Sequence, residues 1–429
     1  IPKFHKDYFE KLHAKNLKEI SYDVCKAFNI NEQIGENALI DIIDESFNFP
    51  IITKELQSNL DVCELYHGPS KSFKDFGTLF TANLIHHLKP KNEKINIISA
   101  TTGDTGSAIA TAFYNKENID VHILYPKNKI SLIQQKQMTT LGRNINCYEI
   151  NGNFDDCQKL VKDILNKKNK KNNFTSCNSV NIGRIVGQLF YYFYICKNNL
   201  DKKINITIPT GNMGNGLSCF IAKEMGLPIN DIILACNENS NLSKLLNYDT
   251  TNLNINSKKT YSNAIDIINP SNYERLNSYI NNFKDTNNVK VKSIIPTKTN
   301  DNETIYMINY IYYNYGYLID PHTAVCFDAL FNKYNYDRYN LEEHNIILST
   351  ADPIKFYFEI DYENKIKLTN DINKLLEKKE YIKDIKEINK YVKSIPYSGL
   401  LICSENRFLN YDHEVILATT RRKEQYGRQ

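Results

Sequence analysis

The sequence predicts an α/β protein built from two doubly wound domains behind a helical N-terminal segment. Three observations carry that expectation. Short β-branched runs alternate with helical patterns from Val62 to Ala351. The runs are apolar on both faces, as strands of a parallel sheet covered by helices must be. The chain, at 429 residues, exceeds what one hydrophobic core usually supports.

Taken in order, residues 1–61 read as helices with no strand signal. A first α/β domain is expected over 62–203. It opens on the strand-like VCELY (62–66), and a helix follows from about Ser72, with Phe73, Phe76, Phe80 and Leu84 on one face. INIISA (95–100) leads into SAIATAFY, VHILY (121–125) into ISLIQQKQMTTLG, and INCYEI (145–150) into FDDCQKLVKDIL. NKKNKKNNF (166–174) reads as a polar surface loop. A second α/β domain is expected over 204–429, with strands INITIP (204–209), DIILAC (231–236) and NIILST (345–350). The tyrosine-rich FYYFYIC (190–196) and YIYYNYGY (310–317) read as packed helix faces, because no basic stripe accompanies them. RRKEQYGRQ (421–429) reads as a charged tail.

Composition narrows the function. Lys and Arg number 53 against 49 Asp and Glu, too even a balance for nucleic acid or an anionic membrane as main partner. The expected ligand is small. Ten cysteines are scattered from Cys25 to Cys403 without a C-x-x-C pair, so we expect reduced, buried thiols in a cytoplasmic protein. No run of about 18 apolar residues or signal-peptide pattern occurs, so a soluble chain is expected. His86 and His87 lack a ligand partner at usable spacing, and no metal is expected. A chain opening on Ile1 leads us to expect residues before it, with room for an organelle-targeting segment.

Two glycine-bearing loops each follow a strand and open a helix: ATTGDTGSA (100–108) and PTGNMGNG (209–216). Amides freed at a helix start bind phosphate, although glycine at such a turn also serves backbone geometry alone. Two loops together point to a site for two phosphates. Neither ends in GK[ST] or matches GxGxxG with a suitably placed acid, which argues against nucleotides. NSVNIGR (178–184) offers amide and hydroxyl groups followed by Arg184, which suits bidentate phosphate binding or a surface ion pair.

HGPSKSFKDFG (67–77) puts Lys74 in the first helical turn, where the helix dipole disfavours an ammonium by about 0.3–1 kcal/mol. Such a site depresses the amine's pKa and suits a nucleophile and base that holds an aldehyde cofactor as an imine. Taken alone, the same lysine also fits an exposed side chain lying over its phenylalanines. DPHTAV (320–325) and STADPIKF (349–356) read as turns, with Thr350 at a strand end.

In this order, HGPSKSFKDFG, ATTGDTGSA, NSVNIGR, PTGNMGNG, DPHTAV and STADPIKF resemble the threonine synthase family, closest to its short bacterial and fungal type. The likeness covers about residues 1–356 and includes LYPKNKIS and NGNFDDCQKLV. It implies the type II fold of pyridoxal-phosphate enzymes, similar to the tryptophan synthase β subunit, with the cofactor between two α/β domains. The implied activity converts O-phosphohomoserine and water to threonine and phosphate, by elimination at the γ carbon and addition at the β carbon. Lys74 would bear pyridoxal 5'-phosphate and shuttle protons. Gly211, Asn212, Met213, Gly214 and Asn215 would cradle the cofactor phosphate, and Thr350 would bond the pyridine nitrogen. Asp104 would stand beside the cofactor, where several relatives carry Asn. Thr101, Thr102, Thr105, Asn178, Ser179 and Arg184 would hold the substrate phosphate. Ser70 replaces a usual Thr, and Asp352 a common His. A phospholyase releasing 2-oxobutyrate and a non-catalytic homologue remain as alternatives, and a monomer or homodimer is expected.

Overall fold

The computed structural model describes residues 1–387 other than 167–173, 250, 252, 255, 283–292, 335, 338, 339, 341, 363–366 and 386. The expected polar loop falls mostly on 167–173, and with the expected tail and Cys403 it lies outside the described residues.

Four helices lead in: α1 (Lys6–Leu12), α2 (Leu17–Ala27), α3 (Ile30–Ile34) and α4 (Glu36–Ser46). A capping box starts α2, because Asn16 accepts from the Glu19 amide at 3.0 Å and Glu19 accepts from the Asn16 amide at 2.8 Å. Ile20, Val24, Leu39, Ile42 and Ile43 join the main core from this segment. The lead-in departs from the all-helical expectation by one strand. Residues 1–61 are not purely helical, because strand β1 (Ile52–Gln57) pairs antiparallel with β2 (Leu60–Glu64). β1 is an edge strand carrying the exposed Lys54 and Glu55, so it lacks the two-sided apolar run that marks the central strands.

Helix α5 (Lys74–Leu88) then leads to β3 (Ile95–Ala100), α6 (Asp104–Phe113), β4 (Ile119–Pro126), α7 (Leu132–Thr139), β5 (Ile145–Ile150), α8 (Phe154–Asn166), β6 (Phe174–Ser176) and α9 (Ile182–Cys196). Strand β7 (Lys203–Pro209), α10 (Gly214–Glu224), β8 (Ile229–Asn237), β9 (Ile294–Thr299), β10 (Glu343–Ser349) and the short β11 (Ile382–Lys383) complete the sheets. The order in one sheet is β1-β2-β10-β7-β8-β9, and in the other β11-β5-β4-β3-β6. Every pairing other than β1 with β2 is parallel. The expected strands recur in place, with Thr350 one residue past β10.

Sheet membership does not run in step with the blocks 62–203 and 204–429. β2 lies beside β10 in the six-stranded sheet, and β11 pairs with β5 in the other. The chain therefore changes sheet three times, between β2 and β3, between β6 and β7, and between β10 and β11.

Aromatic packing anchors α5. Phe76 and Phe80 are buried against Phe47, and Phe80 meets Phe190 of α9 edge-on at 5.2 Å. Tyr191 and Tyr192 are buried, whereas Tyr313 on the helix Asp301–Tyr315 is largely exposed. The second tyrosine-rich run is thus only partly a packed face. All described cysteines are buried and unpaired. Among the described residues no helix is long and apolar enough to cross a membrane.

Candidate active site

Parallel strands deliver their carboxyl ends to one side of a sheet, and ligands of open α/β sheets bind there. Here the residues following β2, β3, β6, β7 and β10 meet around one cavity. Its lining includes every residue that the resemblance assigns to cofactor or substrate phosphate: Lys74, Thr101, Thr102, Asp104, Thr105, Asn178, Ser179, Arg184, Gly211, Asn212, Met213, Gly214, Asn215 and Thr350.

The approach to Lys74 is fixed by backbone pairing. Ser72 bridges Ala351, the Phe73 amide donates to the Thr350 carbonyl at 2.9 Å, and the Asp352 amide donates to the Lys71 carbonyl at 3.1 Å. Lys71 also donates from Nζ to Asp352 Oδ2 at 2.7 Å, so Asp352 has a partner of its own in place of the family's usual His. Ser70 is held by the Asp75 carboxylate, which accepts from its amide at 2.8 Å. These bonds tie the start of α5 to the end of β10. Lys74 and Thr350 are thereby brought to one cavity.

Lys74 is mostly enclosed, with Nζ 3.8 Å from Asp104 Oδ2 and 4.7 Å from the Phe73 ring centre. Burial lowers its pKa to about 8; Asp104 opposes that shift, while Arg184 and Lys355 add to it. Asp104 behaves oppositely. Burial pushes its carboxyl up, but Lys355, Lys74 and His322 together hold it well below the usual carboxylate range.

The two glycine loops differ in what they offer. In the first, the buried Thr101 Oγ1 accepts from the amides of Gly103 at 2.9 Å and Gly106 at 2.7 Å. Two of its amides are therefore occupied, and Thr102, Thr105 and Asp104 supply its polar side chains. In the second, Met213 takes a left-handed φ of 59° before α10 begins at Gly214. No protein acceptor among the described residues meets the Gly214, Asn215 or Gly216 amides. Gly211 is required by contact, since a Cβ there would come within 3.0 Å of Ile265 Cα.

Arg184 is buried in the first turn of α9, donating from Nη1 to the Cys177 carbonyl at 2.8 Å. Its Nε has no partner among the described residues. Burial lowers its pKa. Gly77 makes this placement possible, because a Cβ on α5 would meet the Arg184 carbonyl at 2.7 Å. Asn178 accepts from the Ser99 hydroxyl, and the Ser179 carbonyl accepts from Arg275 at 3.2 Å. Asn215 accepts from Tyr191 at 2.5 Å and from Tyr192, leaving its buried Nδ2 without a partner.

Sequence reasoning passed over three groups. His322, within DPHTAV, lines the cavity; its Nδ1 donates to Asp320 at 2.7 Å, so Nε2 accepts from the Ala264 amide at 3.1 Å. Lys355, within STADPIKF, pairs with Asp104 at 2.7 Å. Gln134 donates to Asp104 at 3.0 Å and accepts from Asn263 at 2.9 Å, joining α7 to the 263–267 segment on the cavity wall. Nothing local in DPHTAV or STADPIKF marks the His or the Lys as buried.

The donor set suits pyridoxal phosphate: buried, unpartnered Arg184 Nε and Asn215 Nδ2, open amides at the start of α10, and an enclosed amine at Lys74. Comparison with known proteins agrees. Residues 48–348 match the family model described as pyridoxal-phosphate dependent enzyme. The threonine synthase of Buchnera aphidicola subsp. Acyrthosiphon pisum is 37% identical over 352 residues, 80% of this chain and 79% of that protein. The crystal structure of threonine synthase from Escherichia coli superposes with a TM-score of 0.82 at 29% identity, covering 91% of this chain and 92% of that one. A pyridoxal-phosphate-bound threonine synthase from Brucella melitensis gives 0.78 at 28% identity, covering 91% of each chain.

Proposed function

The chain belongs to the pyridoxal-phosphate dependent enzymes and, among them, to the threonine synthase family, and from that premise we propose that it acts on O-phosphohomoserine with Lys74 as the cofactor lysine. It is a pyridoxal-phosphate-dependent lyase. The convergence of Lys74, Thr350, the open amides of 214–216 and Arg184 on one cavity carries the residue assignment.

When bound, the cofactor supplies an electron sink conjugated to the substrate's α carbon. Gly211 to Asn215 would take its phosphate through α10 amides and the Asn215 side chain, where the helix dipole favours an anion. Thr350 would present its hydroxyl to the ring nitrogen. A hydroxyl there leaves the ring a weaker sink than a carboxylate would, which places more of the work on well-positioned bases. Asp104 stands 3.8 Å from the Lys74 amine and orients it.

Lys74 would act at the α and β carbons. Its amine, lowered to about 8, is present in both protonation states near neutral pH, so it can both accept and return a proton. Arg184 Nε is a charged donor without a protein partner, and with Thr102, Thr105, Asn178 and Ser179 it would hold the substrate phosphate. Thr101, whose oxygen accepts two amides, would give that phosphate its hydroxyl proton. The released phosphate, still gripped there, would help deprotonate the water that adds at the β carbon. The buried, unpaired cysteines among the described residues support a cytoplasmic location. A monomer or homodimer completes the proposal.

The test is a product assay. Holoenzyme given O-phosphohomoserine should release threonine and phosphate in equal amounts; 2-oxobutyrate without threonine would reject the synthase outcome.

A further inference from the structure

We infer that Lys355 is a positioning residue for this reaction: its ammonium takes up the charge of Asp104, so that the carboxylate orients the Lys74 amine without pinning it as a cation. The inference rests on Lys74 being the cofactor lysine. Lys355 belongs to the 3-10 turn Pro353–Phe356 that follows β10, and its side chain has 0% exposure. A lysine so enclosed is tolerated only with its charge paired and its donors used. Both conditions hold. Its Nζ lies 2.7 Å from Asp104 Oδ1, donates to the Ser70 carbonyl at 2.9 Å, and lies 3.5 Å from Ser107 Oγ.

The division of the Asp104 oxygens is the decisive geometry. Oδ1 meets Lys355 and, at 3.0 Å, Gln134 Nε2, whereas Oδ2 faces Lys74 at 3.8 Å. One carboxylate thus has a tight cationic partner on one oxygen and the working amine on the other. A buried carboxylate without Lys355 would put its whole charge on Lys74 and favour the ammonium strongly. A base that must pick up and release a proton in every turnover cannot be held that way.

The remaining charges around Lys74 do not substitute. Arg184 comes from α9 and Asp320 from the N-cap of the helix Pro321–Asp328, and both act on Lys74 less than Asp104 does. His322 is bound to Asp320 at 2.7 Å, and Asp75, on α5 itself, is bound to Ser70. Among the described residues, Lys355 alone makes an ion pair with Asp104 shorter than that of Lys74. Its carbonyl also accepts from the Ser131 hydroxyl at 2.7 Å, tying the turn to the start of α7, the helix that carries Gln134.

The experiment follows the coupling of pyridoxal, the cofactor without its phosphate, to full-length protein stripped of cofactor, read as visible absorbance across pH. In Lys355→Met the midpoint should rise by about one pH unit, so that coupling near neutral pH slows about ten-fold. The double variant Asp104→Asn with Lys355→Met should return to the unmodified protein's midpoint or below. An unchanged midpoint in Lys355→Met, or a double variant as slow as the single one, overturns the inference. Where Lys355→Met fails to fold, Lys355→Gln takes its place with Asp104 intact; the same rise is expected, and an unchanged midpoint overturns the inference. Failure of the Lys74 assignment looks different, because Lys74→Ala would then colour as the unmodified protein does.

Discussion

The two strand-to-helix loops, 100–108 and 209–216, read alike as sequence and do different work in the fold. In the first, Thr101 accepts the Gly103 and Gly106 amides, and an acid, Asp104, occupies the first helical position. In the second, the helix opens on Gly214 with its amides unmet and no acid in the first turn. The first loop has bound itself and presents side chains; the second presents backbone. Glycine content marks both, but only the state of the amides separates a loop that can receive an anion through its backbone from one that has already spent those groups.

The largest expected effect tests the residue that both loops serve. Lys74→Ala should remove the visible cofactor band and lower threonine formation by at least about 10³-fold; a persisting band would place the cofactor elsewhere. Next, Arg184→Met separates the two anion pockets. The kcat/KM for O-phosphohomoserine should fall about 10²-fold, as expected for a lost charged hydrogen bond, while equilibrium dialysis finds cofactor affinity nearly unchanged. Equal losses in both would merge the pockets and erase the contrast between the loops.

A smaller effect is expected at Thr101. Thr101→Val orphans the Gly103 and Gly106 amides, at about 1–3 kcal/mol each in urea unfolding, and cofactor affinity at the other loop should stay the same. The gentlest test is one of pH. Burial raises the Asp75 carboxyl, near the Lys355 that pairs with the first loop's Asp104, from 3.8 to about 7, with Ser70 opposing. The folded state then binds the extra proton between those values, so stability is full below the lower one and declines as pH rises through the upper one. Asp75→Asn should flatten that decline, which has a limiting slope of about 1.4 kcal/mol per pH unit. An unaltered slope would show that Asp75 titrates normally.

Much of this was legible in order along the chain. INIISA, INCYEI and the other runs became parallel strands because burial on both faces leaves a continuous apolar signature. β1 escaped because an antiparallel edge strand with exposed Lys54 and Glu55 leaves no such mark, and the three-residue β6 is too short for any pattern. Lys74 stood out because its position is awkward locally, in a helical first turn between two phenylalanines. Lys355 and His322 did not, because each is ordinary until its partner is known.

By itself the sequence determined the alternation of strand and helix, the two glycine loops and the awkward lysine, since each depends on neighbours within a few positions. Tertiary structure alone decided which amides stay free, that Asp104 lies between two lysines, and that the chain crosses sheets around α5. Those are matters of distance between segments far apart in the chain, and both burial and charge pairing depend on that distance rather than on order along the backbone.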